Sequence, residues 1–403
     1  MSGAVIDPRH SPMRAAPKKA LSLSWSDPRF RNIVWQVVIL GAVAATVWYL
    51  VRNTNRNLAA RHIATGFAFL GRTAGIPIGE SLISYDSSID TYGRALLIGV
   101  LNTLKVAVVG VVLATVLGTV IGVARLSKNW LIARIAAVYV EVIRDIPVLL
   151  QLLFWYELLH GLPVPKASFH PLPGVFLSNR GIKVPVVEWS APFWWALGAF
   201  ALGMVGTVAW SRTATRQQEA NGMRPKVWPV ALGLLVGFPV LIWGALGAPF
   251  AVEMPELHGF NFTGGATVSP EYATLTLALV IYTASYIAEI VRSGIQAVPQ
   301  GQWEAAGALG LRPRMVLRQV VLPQALRVVI PPMTSQYLNL TKNSSLAVAV
   351  GYQDVVSIDQ TTLNQTGQSI EGIALVMAIF LVISLSISLF MNWYNARIAL
   401  VER

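Results

Sequence analysis

"EAAGALGLRPRMVLRQVVLP" occupies residues 304–323. It carries Glu304 and three arginines, yet it lies between two apolar runs long enough to cross a bilayer. Residues 300–309 read as a helix rich in Ala and Gly, with Trp303 as its single bulky aromatic. Gly310 suits a helix C-terminus, where a positive φ costs glycine little. Arg312-Pro313 then restarts the chain, because proline is tolerated in the first turn of a helix. Pro323 precedes the return to apolar sequence. Two short helices at an angle, anchored by spans at both ends, make a rigid knob that fits a cleft in a soluble partner. On chemistry alone, an amphipathic linker lying on the bilayer surface is an equal reading.

The rest of the chain sets this stretch in a membrane protein. Of 403 residues, 54% are hydrophobic and 12% charged, where a soluble domain carries roughly 25% charged residues. The absence of cysteine excludes disulfides, thiolate metal sites and thiol catalysis. The five histidines form no HExxH or similar pair, so no metal site is expected, and no GxxxxGK[ST] is present. The net charge of +12 raises nucleic-acid binding, but no nucleic-acid motif accompanies it. The basic N-terminus is too long and polar for an ordinary signal peptide and reads as a cytoplasmic lead.

A bilayer core of about 30 Å needs roughly 20 apolar residues as helix. Eight segments qualify: 33–51, 95–124, 135–159, 193–211, 228–247, 272–291, 327–350 and 373–393. With the N-terminus inside, the inner loops and tail hold 20 Lys and Arg and the outer loops hold 8. That asymmetry favours both termini in the cytoplasm and places 292–326 there too. Trp194, Trp195, Trp210, Trp228 and Trp393 fall at span ends, the headgroup level that amphipathic rings prefer. The outer loops 248–271 and 351–372 lack Lys and Arg but carry six carboxylates, which suits either a basic partner or simple exclusion of positive charge. Residues 160–192, rich in Pro and Gly, read as a non-helical outer loop. With the spans at 193–211 and 228–247 they form an insertion into a compact five-span set. The fold class is therefore an all-α polytopic bundle of about eight transmembrane helices.

Three spans hold unusual residues. In the second, Gly110, Ala114, Gly118 and Gly122 line one helix face, which permits either a sliding contact or tight packing. In the third, Glu141 and Arg144 are spaced to neutralise each other, and Pro147 removes the bond to the Ile143 carbonyl and should kink the helix. That pair is either a structural ion pair or part of a water-filled path. In the seventh, Pro331-Pro332 should break the inner half, and Gln336, Asn339, Thr341, Lys342 and Asn343 follow. Such polarity must meet protein or water.

The pattern Glu304-Ala305-Ala306, Gly310, Val320 and Leu322-Pro323 resembles the EAA loop of ABC importer permeases. "AEIVRSGIQAVPQGQWEAAGALGL", "LPQALRVVIPP", "LNTLKVAVVG", "YVEVIRDIPVLLQ" and "KNSSLA" are similar to the polar amino-acid (histidine/glutamine-type) permeases. The long chain resembles a permease subunit of a general L-amino-acid transporter. The likeness covers about 94–160 and 271–398. It divides the chain into a cytoplasmic segment (1–32), a first helix with outer loop (33–93), a first core part (94–159), an insertion (160–270), and a second core part (271–398) with the EAA loop at 304–323. It implies a type I permease core of five helices plus three extra, in a bacterial inner membrane. The implied partners are a second homologous permease, two ATP-binding cassette ATPases and a periplasmic amino-acid-binding protein. By the same likeness this chain needs no cofactor and is no enzyme, because ATP and Mg are bound by the ATPases. Glu304, Ala305, Ala306, Gly310, Leu322 and Pro323 carry over as the ATPase-coupling loop. Where the family more often has Lys-Asp-Thr-Ser-Leu, this chain has Lys342-Asn343-Ser344-Ser345-Leu346, so no aspartate role transfers.

Counting 1.5 Å per helical residue puts Asn102, Tyr282, Gln336 and Asn339 at middle depth, with Lys342 towards the outer face. These five are the expected substrate-path residues. A self-sufficient ion-coupled carrier is the other transport class, and it has no use for a cytoplasmic knob.

Overall fold

The computed structural model describes residues 25, 28–60, 65–188, 190–222, 225–247 and 251–398. Most of the expected cytoplasmic lead 1–32, and the tail after 398, lie outside the described residues. The chain separates into two units, 1–66 and 67–403. In the first, a single helix α1 (Pro28–Ala60) runs through the first expected span with its apolar side chains exposed, as a helix facing lipid requires. The unit boundary departs from the expected segment 33–93: residues 67–93 belong with the second unit, where Phe69 and Ala74 pack with Tyr92 and Leu96.

The second unit opens with three helices of the core. α2 (Tyr92–Ala124) starts at Thr91, whose hydroxyl accepts from the Arg94 N–H. α3 (Trp130–Asp145) starts at Asn129, whose side chain accepts from the N–H groups of Leu131 and Ile132. α4 (Val148–His160) follows after Ile146 and Pro147 in extended backbone. The third expected span is thus interrupted rather than kinked. The reason lies in Gln151, which is buried: its Nε2 donates to the carbonyls of Ile143 and Ile146 at 2.8 and 2.9 Å. The carbonyl that Pro147 leaves unpaired is satisfied by a side chain, so a full break is tolerated.

The insertion holds α5 (Ala191–Asn221), α6 (Val227–Leu232) and α7 (Phe238–Ala245), the last two joined through a π turn at Gly233–Gly237. α5 packs against α7 and against the π turn before it, where a Cβ on Gly203 would lie 2.1 Å from the carbonyl oxygen of Leu234 in that turn. The segment expected to be non-helical, 160–192, carries short strands that pair among themselves and with 252–268. β1 (Phe169–Leu172), β2 (Val175–Ser178) and β3 (Gly181–Val184) pair antiparallel in chain order. β4 (Val186–Val187) pairs with β5 (Val252–Glu253), and β6 (Glu256–His258) with β7 (Asn261–Thr263). β8 (Ala266–Val268) completes the first sheet beside β3. Residues 160–192 and 251–268 therefore form one β-rich cap, a small addition to the helical bundle.

α8 (Pro270–Gln296) is the centre of the core. Ser269 caps it, and Pro270 sits in the first turn. α2 lies along it in parallel: Gly118 meets Ala284 and Ile287, and four residues on Gly122 meets Ala288 and Val291. A Cβ at Gly122 would stand 2.6 Å from the Ala288 carbonyl oxygen, so the small-residue stripe serves backbone-close packing. After α9 (Gln300–Ala308) and α10 (Pro313–Met315), a π turn at Val316–Val321 leads without interruption into α11 (Leu322–Asn343). α11 runs opposite to α2, since Leu340 meets Gly110 and the Tyr337 hydroxyl lies 3.0 Å from that of Thr115. Pro331 and Pro332 do not break α11, contrary to expectation. Their missing N–H groups cost hydrogen bonds to Arg327 and Val328, but the flanking turns keep helical geometry. A 3-10 turn at Ser344–Val350, α12 (Val355–Thr366) and α13 (Ser369–Ile398) complete the chain.

Among the described residues, six helices are long and apolar enough to cross a membrane. The third and seventh expected spans are absent from that set because α3 and α4 are each short and α11 is polar.

Candidate functional site

The directions of α2, α8 and α11 give the core two opposite ends. At one, α2 and α8 finish and α11 begins, with α9 between. At the other stand the segments 72–91, 269–272 and 351–354.

α9 and α10 are held by a small apolar cluster of Val298, Ala306, Val316, Val321 and Ala325. Ala306 is buried there, while Glu304 and Ala305 are exposed and Leu309 stands 80% exposed at the tip. Gly310 ends α9 at φ +75°, and the Leu311 N–H returns to the Ala306 carbonyl at 3.3 Å. This left-handed exit turns the chain sharply into Pro313. Leu322 is exposed and Pro323 half-buried, but both lie inside the continuous π/α run rather than at a separate re-entrant corner. The knob is therefore one free helix braced on the N-terminal extension of α11. A cavity of about 670 Å³ beside it is lined by Leu126, Ile295, Val298, Trp303 and Glu304. Leu309 was missed in the sequence; its signal was a leucine between small residues immediately before a helix-ending glycine.

Further along the core, Arg125 and Arg292 both pair with Glu289. The expected Glu141–Arg144 pair does not form. Arg144 instead stacks on Tyr286 at 4.9 Å from the ring centroid, and the Tyr286 hydroxyl lies 3.1 Å from that of Tyr282. An Arg guanidinium gains from an aromatic face at little geometric cost, and Tyr286 offers it. Glu141, Arg144, Asp145 and Glu289 surround a cavity of about 360 Å³.

The five expected path residues are not brought together. Tyr282 belongs to the arginine–tyrosine cluster just described. Gln336 is half-buried on α11, and Asn339 and Lys342 are exposed on the same helix. Asn102 is buried at the far end, where its Nδ2 donates to the carbonyls of Glu80 and Gln353 at 3.0 and 2.9 Å. It ties the segment 77–80, which folds back over α2, to that helix. Ser335, Asn339 and Lys342 give α11 an exposed polar face.

Residues 230–400 match the family described as "Binding-protein-dependent transport system inner membrane component". The putative amino-acid ABC transporter permease protein YhdX of Escherichia coli (strain K12) is 49% identical over 95% of this chain and 98% of its own. The general L-amino acid transport system permease protein AapQ of Rhizobium johnstonii is 49% identical over 94% of both. The glutamate/glutamine/aspartate/asparagine transport system permease protein BztB of Rhodobacter capsulatus is 45% identical over 96% of this chain and 99% of its own. A solved amino acid ABC transporter with histidines matches 76% of this chain and 95% of its own at 21% identity and a TM-score of 0.46. The near-complete mutual coverage includes the insertion and the first helix as well as the core. The chain belongs to the permease family of amino-acid ABC transporters, as a multi-pass inner-membrane component of a complex with further subunits.

Proposed function

We propose that this chain forms half of the translocation path of an ABC importer for L-amino acids and hydrolyses nothing itself. It pairs with a second homologous permease through the polar, exposed face of α11. Two ATPase subunits, which bind ATP and Mg, grip α9, and a periplasmic binding protein delivers the amino acid at the opposite end. Both termini then lie in the cytoplasm, as the distribution of Lys and Arg favours. Glu304, Ala305, Ala306, Gly310, Leu322 and Pro323 shape the coupling element, and Gln336, Asn339 and Lys342 face the path.

The observation that carries this reading is α9. It is a helix of small residues braced from behind by Ala306 and presenting Glu304, Ala305 and Leu309 outward. Fixed to α8 on one side and α11 on the other, it transmits a push to both without a flexible joint. The test is uptake of radiolabelled amino acid by proteoliposomes holding this chain, its partner permease and the ATPases, with the binding protein outside. Uptake that needs ATP and this chain supports the reading. Uptake by this chain alone, driven by an ion gradient, sinks it.

A further inference from the structure

On the inner half of the bundle, α2, α8, α11 and α13 leave a groove between them, a cavity of about 590 Å³. Its wall on α11 is a stripe from Leu322 through Leu326 and Met333 to Tyr337, on α2 it runs from Val111 to Val123, and on α13 from Phe390 to Tyr394. At 1.5 Å per residue the groove is about 18 Å long on α2 and about 22 Å on α11. That is somewhat more than one leaflet of a hydrocarbon core about 30 Å thick. Its outer end is closed, because the Thr115 and Tyr337 hydroxyls lie 3.0 Å apart and Leu340 packs on Gly110 just beyond them.

Shape and surroundings decide what fills it. A volume of about 590 Å³ spread over about 20 Å is only about 6 Å wide, against 10–12 Å for a helix with its side chains. An acyl chain fits such a width and a protein helix does not. The rim is open, with Val112 56%, Val116 60% and Phe390 61% exposed. Ser335, Asn339 and Lys342 lie on the opposite face of α11. Polar side chains inside a membrane meet protein or water, so that face is the covered one and the groove is the side left to lipid.

The inner mouth carries charge. One turn further inward along the same stripes stand Arg318, four residues before Leu322, and Arg397, three residues after Tyr394. Both are exposed, and neither makes an ion pair within 4.0 Å among the described residues. Arg397 rests on the Trp393 ring, 4.6 Å from its centroid, and a tryptophan at a span end marks the headgroup level. A guanidinium fork matches a phosphate, and basic side chains at the cytoplasmic end of a crevice between spans select anionic headgroups.

We propose that this groove is a binding site for an anionic phospholipid of the inner leaflet. One acyl chain lies along α2, α11 and α13, and Arg318 and Arg397 hold the phosphate at the mouth.

The test uses phosphatidylglycerol with a diazirine halfway along one chain, at trace level in phosphatidylcholine nanodiscs that hold the assembled complex. Illumination should concentrate adducts in residues 111–123 and 322–337. Unlabelled phosphatidylglycerol should compete at least fivefold better than phosphatidylcholine with the same chains, the scale of one arginine near an anionic headgroup. Arg318→Gln combined with Arg397→Gln should bring that ratio to one. Val116→Trp fills the groove from its rim and should lower the adduct yield, whereas Leu113→Trp, exposed on α2 outside the groove, should not. The readout is a lipid adduct, so the site stands or falls separately from the uptake test. Adducts spread evenly over the lipid-exposed helices, equal competition by the two lipids, or a ratio that survives the double arginine change overturns it. So does an absence of groove adducts in the assembled complex, the result expected if a neighbouring subunit fills the groove.

Discussion

Replacing Gly310 isolates the backbone geometry of the coupling element from its packing. Gly310 has φ +75°, and a Cβ built there meets nothing within 4 Å. A substitution is thus felt only through the left-handed conformation, which costs an L-residue roughly 1–2 kcal/mol. Gly310→Val should destabilise the closed end of α9 by about that amount, a factor of about 5–30 in its local opening equilibrium. Gly310→Asn should cost less, because asparagine visits this region readily. Gly310→Pro should cost more, since it also removes the N–H that bonds the Gly307 carbonyl at 2.9 Å. Hydrogen exchange of amides 304–309 in nanodisc-embedded protein reads the opening directly, and ATPase affinity should fall by no more than the same factor. Exchange that is unchanged in Gly310→Val, or faster in Gly310→Asn than in Gly310→Val, would refute the reasoning.

Other perturbations reach other parts of the account. Gly118→Leu places its Cβ 2.7 Å from Ile287 Cβ and 2.8 Å from the Ala284 carbonyl oxygen; overpacking of this kind costs about 1–3 kcal/mol, and a lowered Tm checks it. Burial pushes the Asp354 carboxyl up to about 7 from 3.8, so the native chain keeps a proton that the unfolded chain releases. Stability should therefore be highest below about pH 4 and fall by on the order of 1 kcal/mol per unit up to about pH 7. Asp354→Asn, which keeps the cap on Ser357, should flatten that slope in a Tm-against-pH series, and equal slopes would contradict it. Leu309→Ala should weaken ATPase docking about tenfold or more, as loss of a buried leucine contact of about 1.5–3 kcal/mol implies. Gln336→Leu and Asn339→Leu in assembled complexes should alter KM or substrate range; wild-type values for both would make them packing residues.

The knob was legible because its signals are local. Gly310 and Pro313 fix the turn within four residues, and the run of alanines and glycines fixes a smooth helix surface. The proline at 147 was also legible, but its outcome depended on Gln151, whose side chain satisfies the carbonyl that proline abandons. That repair needs the folded geometry, and nothing in the spacing announces it. Pro331-Pro332 misled in the other direction, because a helix packed on both flanks tolerates missing bonds that an isolated one does not. Glu80 escaped notice altogether. Its partners Lys105, Ser269 and Asn102, and the Gln353 side chain that bonds Gly79 and Pro77, lie 22 to 276 residues away from the bonded groups. Contacts at such separations leave no periodic trace. Depth counted along α2 placed Asn102 correctly on its helix but could not show that residues 77–80 fold back over it.

The claim that α9 meets the ATPases while the segment 351–354 faces the other side is tested most directly by cross-linking. The chain has no native cysteine, so Ala305→Cys and Gln353→Cys each give it a single thiol within the assembled complex. The account predicts that Ala305→Cys cross-links to an ATPase subunit and resists a membrane-impermeant thiol reagent added from the periplasmic side, while Gln353→Cys does neither. Labelling of Ala305→Cys from the periplasm, or an ATPase cross-link through Gln353→Cys, would contradict it.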